Sequence, residues 1–116
     1  MLSRSAADER GGVAAEFAVA LPAVALVLAA CLGAVGVGSQ SVRLQDAAAD
    51  AARGLGRGES TGAVAARVDG AVPGAQLESW RSGDLVCARL SVEAHGAASL
   101  ALLRLGAESC ALDGGR

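Results

Sequence analysis

The sequence contains no lysine and no tyrosine, and it has a single tryptophan and a single phenylalanine in 116 residues. Its ten positive side chains face twelve negative ones, which gives a net charge of −2. Proteins that bind nucleic acid normally carry a basic patch, so we expect no nucleic-acid partner. No run of five like charges forms an interaction tail. The length allows one small domain at most.

Residues that hold metals or carry out acid–base catalysis are equally scarce. The chain has one histidine, His95, and three cysteines. Two of the cysteines, Cys87 and Cys110, lie in the same half as His95, but their spacing is not that of a metal site. A Cys–His nucleophile pair lacks a third group to orient the base. The sequence therefore predicts no metal, no cofactor and no enzyme activity.

What the sequence does have is apolar residues, which make up 53% of the chain and are concentrated near the N-terminus. After a polar start, residues 17–38 contain no charged side chain. About 22 helical residues span roughly 33 Å, which is enough to cross a hydrocarbon core of about 30 Å. The run exceeds the about 7–15 apolar residues of a cleaved secretory signal. We therefore predict a transmembrane helix over residues 12–38.

The arginines on either side of this run indicate its orientation. Arg4 and Arg10 precede the run, and Arg43 is the first positive side chain after it. Positive residues flanking a membrane helix favour the cytoplasmic side. The balance favours a cytoplasmic N-terminus and an exported C-terminal part.

Residues 39–58 read as an amphipathic extension of the membrane helix. We expect a break near Gly36 and Gly38, and an end in the glycine-rich stretch 54–58. One face is apolar and comprises Leu44, Ala48, Ala51, Ala52 and Leu55. The other is charged and comprises Arg43, Asp46, Asp50, Arg53 and Arg57.

Residues 59–116 read as a small α+β domain. A short helix is predicted over Thr61–Ala71, with Val64, Val68 and Val72 on one side and Pro73-Gly74 as its stop. Strands are predicted over 76–80 and 85–94, around a turn at 81–84, with a third strand over 107–112. Residues 99–105 are ambiguous between strand and helix. The fold class is therefore α+β: a long N-terminal transmembrane and amphipathic helix, a short helix and a small antiparallel sheet.

The alternation in the second strand predicts how the sheet packs. Its apolar side should lie on the amphipathic helix through Leu44, Ala48 and Leu55; the side comprises Val86, Ala88, Leu90 and Val92. Cys87 points to the opposite face, and an exported location favours a disulfide between Cys87 and Cys110. Trp80 is interpreted as a core or interface anchor, and Cys31 as a small packing residue within the span.

Two residues of the apolar run are unusual. Glu16 lies near its start, where an unpaired charge is expensive. It either lies at the membrane interface or pairs with a positive group of a neighbouring molecule. Pro22 frees the backbone carbonyl of Ala18 and can kink the helix, although proline is not rare in membrane helices.

The segment around Glu16, DERGGVAAEFAVALPAV, resembles the N-terminus of TadE-like minor pilins (pseudopilins) of tight-adherence, or Flp-type, type IV pilus systems. Gly11, Glu16, Phe17 and Pro22 match the pattern of that family. A looser similarity to its actinobacterial branch covers SVRLQDAAADAARGLGRGE and the cysteine-bearing end, LVCARLSVEAHG and AESCAL. The second glycine, Gly12, leaves cleavage after either Gly11 or Gly12 open.

The resemblance implies a processed membrane subunit. Residues 1–11 would be a leader removed by a prepilin peptidase, and the new amine of Gly12 would pair with Glu16 of a neighbouring subunit. Partners would be the peptidase, other pilin or pseudopilin subunits, inner-membrane pilus assembly proteins and membrane lipid. The chain would lie in the bacterial cell membrane, with residues 59–116 outside the cytoplasm, at the cell surface or in a pilus. The alternative is a small single-pass accessory or regulatory membrane protein unrelated to pili.

Overall fold

The structure, a computed structural model, describes residues 2–114 and has an α+β fold, as predicted. Helix α1 covers Leu2–Gly56 and helix α2 covers Thr61–Ala71. Three strands follow, β1 at Gln76–Ser82, β2 at Leu85–Glu93 and β3 at Arg104–Leu112, with a 3₁₀ helix at Gly96–Ala101 between the last two. The strands form one antiparallel sheet in the order β1-β2-β3. The chain divides into two compact units, the first ending at Ala34 and the second beginning at Val35.

Helix α1 has no break, so the interruption predicted near Gly36 and Gly38 is wrong. The helix also begins earlier than the apolar run, at Leu2, and it continues through Pro22. Glycine within a helix costs only about 1 kcal/mol relative to alanine. A break in an apolar surrounding would leave several backbone groups unpaired, at several kcal/mol each. The continuous helix is therefore the cheaper arrangement.

The core of the second unit lies between α1, α2 and the sheet. The apolar faces predicted for the two helices and for β2 are buried in one cluster, which confirms the predicted packing. Its members recur every three or four residues on the helices and every second residue on β2. They are Leu44, Ala47, Ala48, Ala51, Ala52, Leu55, Val64, Val68, Val72, Val86, Ala88, Leu90, Val92 and Ala107.

The predicted bounds of α2 are confirmed, and local signals account for both ends. The Ser60 hydroxyl accepts a hydrogen bond from the Ala63 backbone N–H at 3.2 Å, which caps the N-terminus. At the other end Val72 is extended, as expected for the residue before a proline. The Gly74 N–H donates to the Asp69 carboxylate at 3.2 Å and holds the following turn.

The sheet is longer than predicted at two ends. β1 runs to Ser82, so only Gly83 and Asp84 form the turn to β2. Gly83 has φ +61°, which suits the first position of a two-residue hairpin turn. β3 begins at Arg104, and the ambiguous stretch 99–105 forms the end of the 3₁₀ helix, a turn at Leu102 and the start of β3.

Trp80 lies on the outer face of the sheet and outside the core cluster, so the core alternative for this residue is wrong, while the interface alternative stays a prediction. It pairs with Cys87, whose side chain points away from the helices. The Arg89 guanidinium lies over the Trp80 ring, 5.0 Å from its centroid. Because strand residues alternate between faces, the register with β2 decides the side on which Trp80 lies.

Gly56 brings the end of α1 against the end of β3. A Cβ atom added at Gly56 would lie 2.7 Å from the backbone oxygen of Leu112, so no side chain fits without movement. The Gly114 N–H donates to the Gly56 carbonyl at 2.8 Å, and the Asp113 N–H donates to the Asp84 carbonyl at 2.8 Å. The contact satisfies a carbonyl at the helix C-terminus that has no partner within the helix.

Candidate anchoring and assembly site

From Val13 to Gly38, helix α1 presents an apolar surface with one charged side chain, Glu16. Among residues 2–114 it is the one helix long and apolar enough to cross a membrane, and the apolar stretch is not covered by the rest of the chain. Its large side chains are more than half exposed: Val13, Phe17, Val19, Leu21, Val24, Leu26, Val27, Leu28, Leu32 and Val35. Such a surface needs lipid or protein around it, so α1 is a candidate membrane span.

The two candidate cleavage residues and Glu16 lie on consecutive turns of α1. Gly11 and Gly12 have open space where a side chain would be. Glu16 follows Gly12 by four residues, so both lie on the same side of the helix. Its side chain is exposed, and no ion pair among the described side chains includes it. The carboxylate is therefore available to a group from outside the chain.

Phe17 and Pro22 do not join Glu16 on one face. At 100° per residue, Pro22 lies about 120° from Glu16 around the helix, and Phe17 lies about 100° from it. Phe17 is 62% exposed. The three residues of the N-terminal motif would thus meet different neighbours in an assembly of packed helices.

The predicted cysteine pair is joined by a disulfide. Cys87 on β2 and Cys110 on β3 are direct partners in the strand register, with Cα atoms 4.0 Å apart. Cys87 is 2% exposed. Cys31, on α1, is free and exposed. The bond links two strands on the sheet face opposite the hydrophobic core, where the alternation of β2 placed Cys87.

A buried glutamine that the sequence analysis did not single out fixes α1 to the sheet. The Gln40 amide nitrogen donates to the Glu93 carbonyl at 2.9 Å, and its amide oxygen accepts from the His95 backbone N–H at 3.0 Å. Gln40 is 9% exposed. An uncharged amide just after the apolar run is the feature by which the sequence could have indicated Gln40. Its hydrogen-bond partners, however, are more than fifty residues away in sequence.

An ion cluster fastens α2 to the end of α1. Arg67 contacts Asp50 at 3.0 Å and Glu59 at 2.7 Å, and Arg57 contacts Glu59 at 3.0 Å. Hydrogen bonds from Arg67 and Arg57 lower the pKa of the Glu59 carboxyl. The hydrogen bond to Glu59, together with the negative charge of Asp50, raises the pKa of Arg67. The lowered pKa of Glu59 and the raised pKa of Arg67 both favour the charged forms of this pair.

No protein-family model, curated protein sequence or solved structure matches this chain. Within the described part of the chain, no group of three or more histidine, cysteine, aspartate or glutamate residues could hold a metal ion. A functional assignment therefore depends on the residues of α1 and on the small disulfide-linked domain that follows it.

Proposed function

We propose that the chain is a membrane-anchored minor pilin or pseudopilin, processed by a prepilin peptidase and used in assembly of a tight-adherence (Flp-type) pilus or a related secretion apparatus. The observation that carries the proposal is Glu16. It is a lone, exposed carboxylate directly before the uncharged 22-residue stretch 17–38, five positions after Gly11.

Cleavage after Gly11 would create the positive group that Glu16 lacks. The new amine of Gly12 would lie one helical turn before Glu16 of the same chain. In a bundle of parallel helices shifted along their axes, the amine of one subunit reaches the carboxylate of the next. Alanine and glycine along α1 allow neighbouring backbones to approach closely. The pair would be shielded from water by the surrounding helices, which strengthens its attraction.

The site of processing supports a cytoplasmic N-terminus. A prepilin peptidase acts at the cytoplasmic membrane face, where Gly11 would lie just outside the bilayer. A Cβ atom added at Gly11 or Gly12 would meet no atom within 4 Å beyond the neighbouring helix backbone, so these two positions are not packed against the rest of the chain. The same orientation places the disulfide outside the cytoplasm, in an environment that preserves it.

Replacing Gly11 with leucine is expected to abolish processing, because the bulky side chain would enter the protease site. In cells that contain a prepilin peptidase, the wild-type protein should have Gly12 as its first residue, and the Gly11→Leu variant should keep its leader. Intact-mass measurement on membrane-extracted protein distinguishes the two forms.

The matched control is Gly12→Leu at the neighbouring glycine. If the Gly12→Leu variant is cleaved and the Gly11→Leu variant keeps its leader, the peptidase cuts the bond after Gly11. The reverse result would show that it cuts the bond after Gly12. A wild-type protein that keeps Met1 in peptidase-positive cells would contradict the pilin proposal and favour the accessory-protein alternative.

Replacing Glu16 with alanine is expected to leave processing intact but to impair assembly. Removing one partner of a buried ion pair costs about 3–5 kcal/mol, so the amount of assembled subunit should fall by at least about tenfold. Surface pili counted by electron microscopy, and subunit recovered in a sheared pilus fraction, measure the effect. The isosteric variant Glu16→Gln separates charge from shape and should fail similarly. Normal piliation with Glu16→Gln would exclude the charge pairing.

A further inference from the structure

The segment between β2 and β3 exposes two leucine side chains. From His95 to Leu103 it contains no acidic or arginine side chain. Leu100 is 87% exposed and Leu102 is 88% exposed, the two highest values among the large hydrophobic residues of the described chain. We call residues 96–103 the leucine loop. An exposed apolar cluster of this kind marks a surface that meets lipid or another protein.

The leucine loop begins beside the end of the apolar run of α1. The His95 N–H is bonded to Gln40, which lies two residues, or about 3 Å of helix, after Gly38. Gly96, the first residue of the loop, lines the same surface recess as Gly36, which belongs to the apolar run itself. The loop therefore starts at the height along α1 where the apolar run ends.

The backbone of the leucine loop holds Leu102 in an unfavourable conformation. Leu102 has φ +53°, the one positive φ of a non-glycine residue in the part of the chain described here. Glycine adopts this conformation without strain, whereas a leucine side chain does not. A leucine here would be selected for what its side chain contacts, since it does not help the turn.

We propose that the leucine loop inserts into the lipid interface on the exported side of the membrane, beside the point where α1 leaves it. This inference rests on the proposed membrane span but not on pilus assembly. Lipid is favoured over a protein partner because the loop begins beside Gly36 and Gln40, where the apolar run of the candidate membrane span ends. Arg43, one turn after Gln40 on α1, is exposed and would lie at the level of the phosphate groups.

Quenching of tryptophan fluorescence by nitroxide-labelled lipid tests the proposal on the full chain in phosphatidylcholine vesicles. The background is Trp80→Phe, which removes the native tryptophan. Leu102→Trp and Leu100→Trp place the probe in the loop, and Leu100→Trp avoids the strained position. Leu112→Trp is the control at the far end of β3, about 26 Å from Arg104 along the strand. Leu26→Trp reports insertion of the span. Retention of the disulfide on a non-reducing gel checks each variant's fold.

We expect shallow acyl-chain nitroxides to lower the fluorescence of both loop variants by about twofold and to leave the Leu112→Trp variant unchanged, as for a side chain buried at the headgroup boundary. Deep nitroxides should quench the Leu26→Trp variant most. If that variant is quenched but neither loop variant is, the loop proposal is wrong while the membrane span stands. If the loop variants instead become shielded only as protein concentration rises, the loop binds a second copy, which also overturns the proposal. Absence of quenching in all variants would contradict both the proposed membrane span and the proposed insertion of the loop.

Discussion

Replacing Leu90 with alanine is expected to lower the free energy of unfolding of the second unit by about 2–5 kcal/mol. Leu90 is fully buried at the middle of the central strand, and it is among the largest side chains of a core made mostly of alanine and valine. The small residues around it cannot fill the space that its isobutyl group would leave. A domain of this size has only a few kcal/mol of stability to lose.

The measurement is urea unfolding in a mild detergent, followed by the fluorescence of Trp80, the single tryptophan, on β1. Leu112→Ala is the matched control, since Leu112 belongs to the same sheet and is about half exposed. It should cost less than about 1 kcal/mol. Equal losses for Leu90→Ala and Leu112→Ala would mean that the packing around Leu90 is not the main source of stability.

Removing the disulfide with the double change Cys87→Ala and Cys110→Ala is expected to lower the free energy of unfolding by about 3 kcal/mol, because the bond closes a loop and so restricts the unfolded chain. The two cysteines are 23 residues apart in sequence. The change removes both sulfur atoms, so no free thiol remains in the sheet. The same urea experiment measures the loss, and added reductant should destabilise the wild-type protein but not the double variant.

Thiol labelling tests the disulfide and the membrane orientation of the chain in one experiment. In unreduced, denatured protein prepared from intact cells, we expect only Cys31 to react, because the other two sulfurs are bonded to each other. Labelling of all three cysteines would place the sheet in the reducing cytoplasm and contradict the proposed orientation. Stability of the double variant equal to that of the wild type would show that the sheet does not depend on the bond.

Elements with strong local signals could be predicted from the sequence. The bounds of α2 follow from Ser60 at its start and from Pro73 and Gly74 after its end. The alternation in β2 was enough to place Leu90 in the core and Cys87 on the opposite face. These features depend on residues within a few positions of each other, so the local sequence is enough to predict them.

Features that depend on distant partners could not be predicted in this way. The continuity of α1 through Gly36 reflects the cost of unpaired backbone groups, which outweighs the weak helix propensity of glycine. Trp80 lies on the outer face because of its register with β2. The hydrogen bonds of Gln40 join residues that are 53 and 55 positions apart. Local sequence gives neither a register nor a partner across such distances.

The buried apolar face of α1, which belongs to the core of the second unit, also limits how this sequence can vary. Four of its members, Ala47, Ala48, Ala51 and Ala52, have almost no accessible surface, and three of them have none. Even the step from alanine to valine adds two methyl groups to a space that is already filled. At these four positions, substitutions are confined to residues about as small as alanine, such as glycine or serine. The valines and leucines of the sheet can exchange for one another at a smaller cost, so related sequences should diverge on the sheet side while these four helix positions stay small.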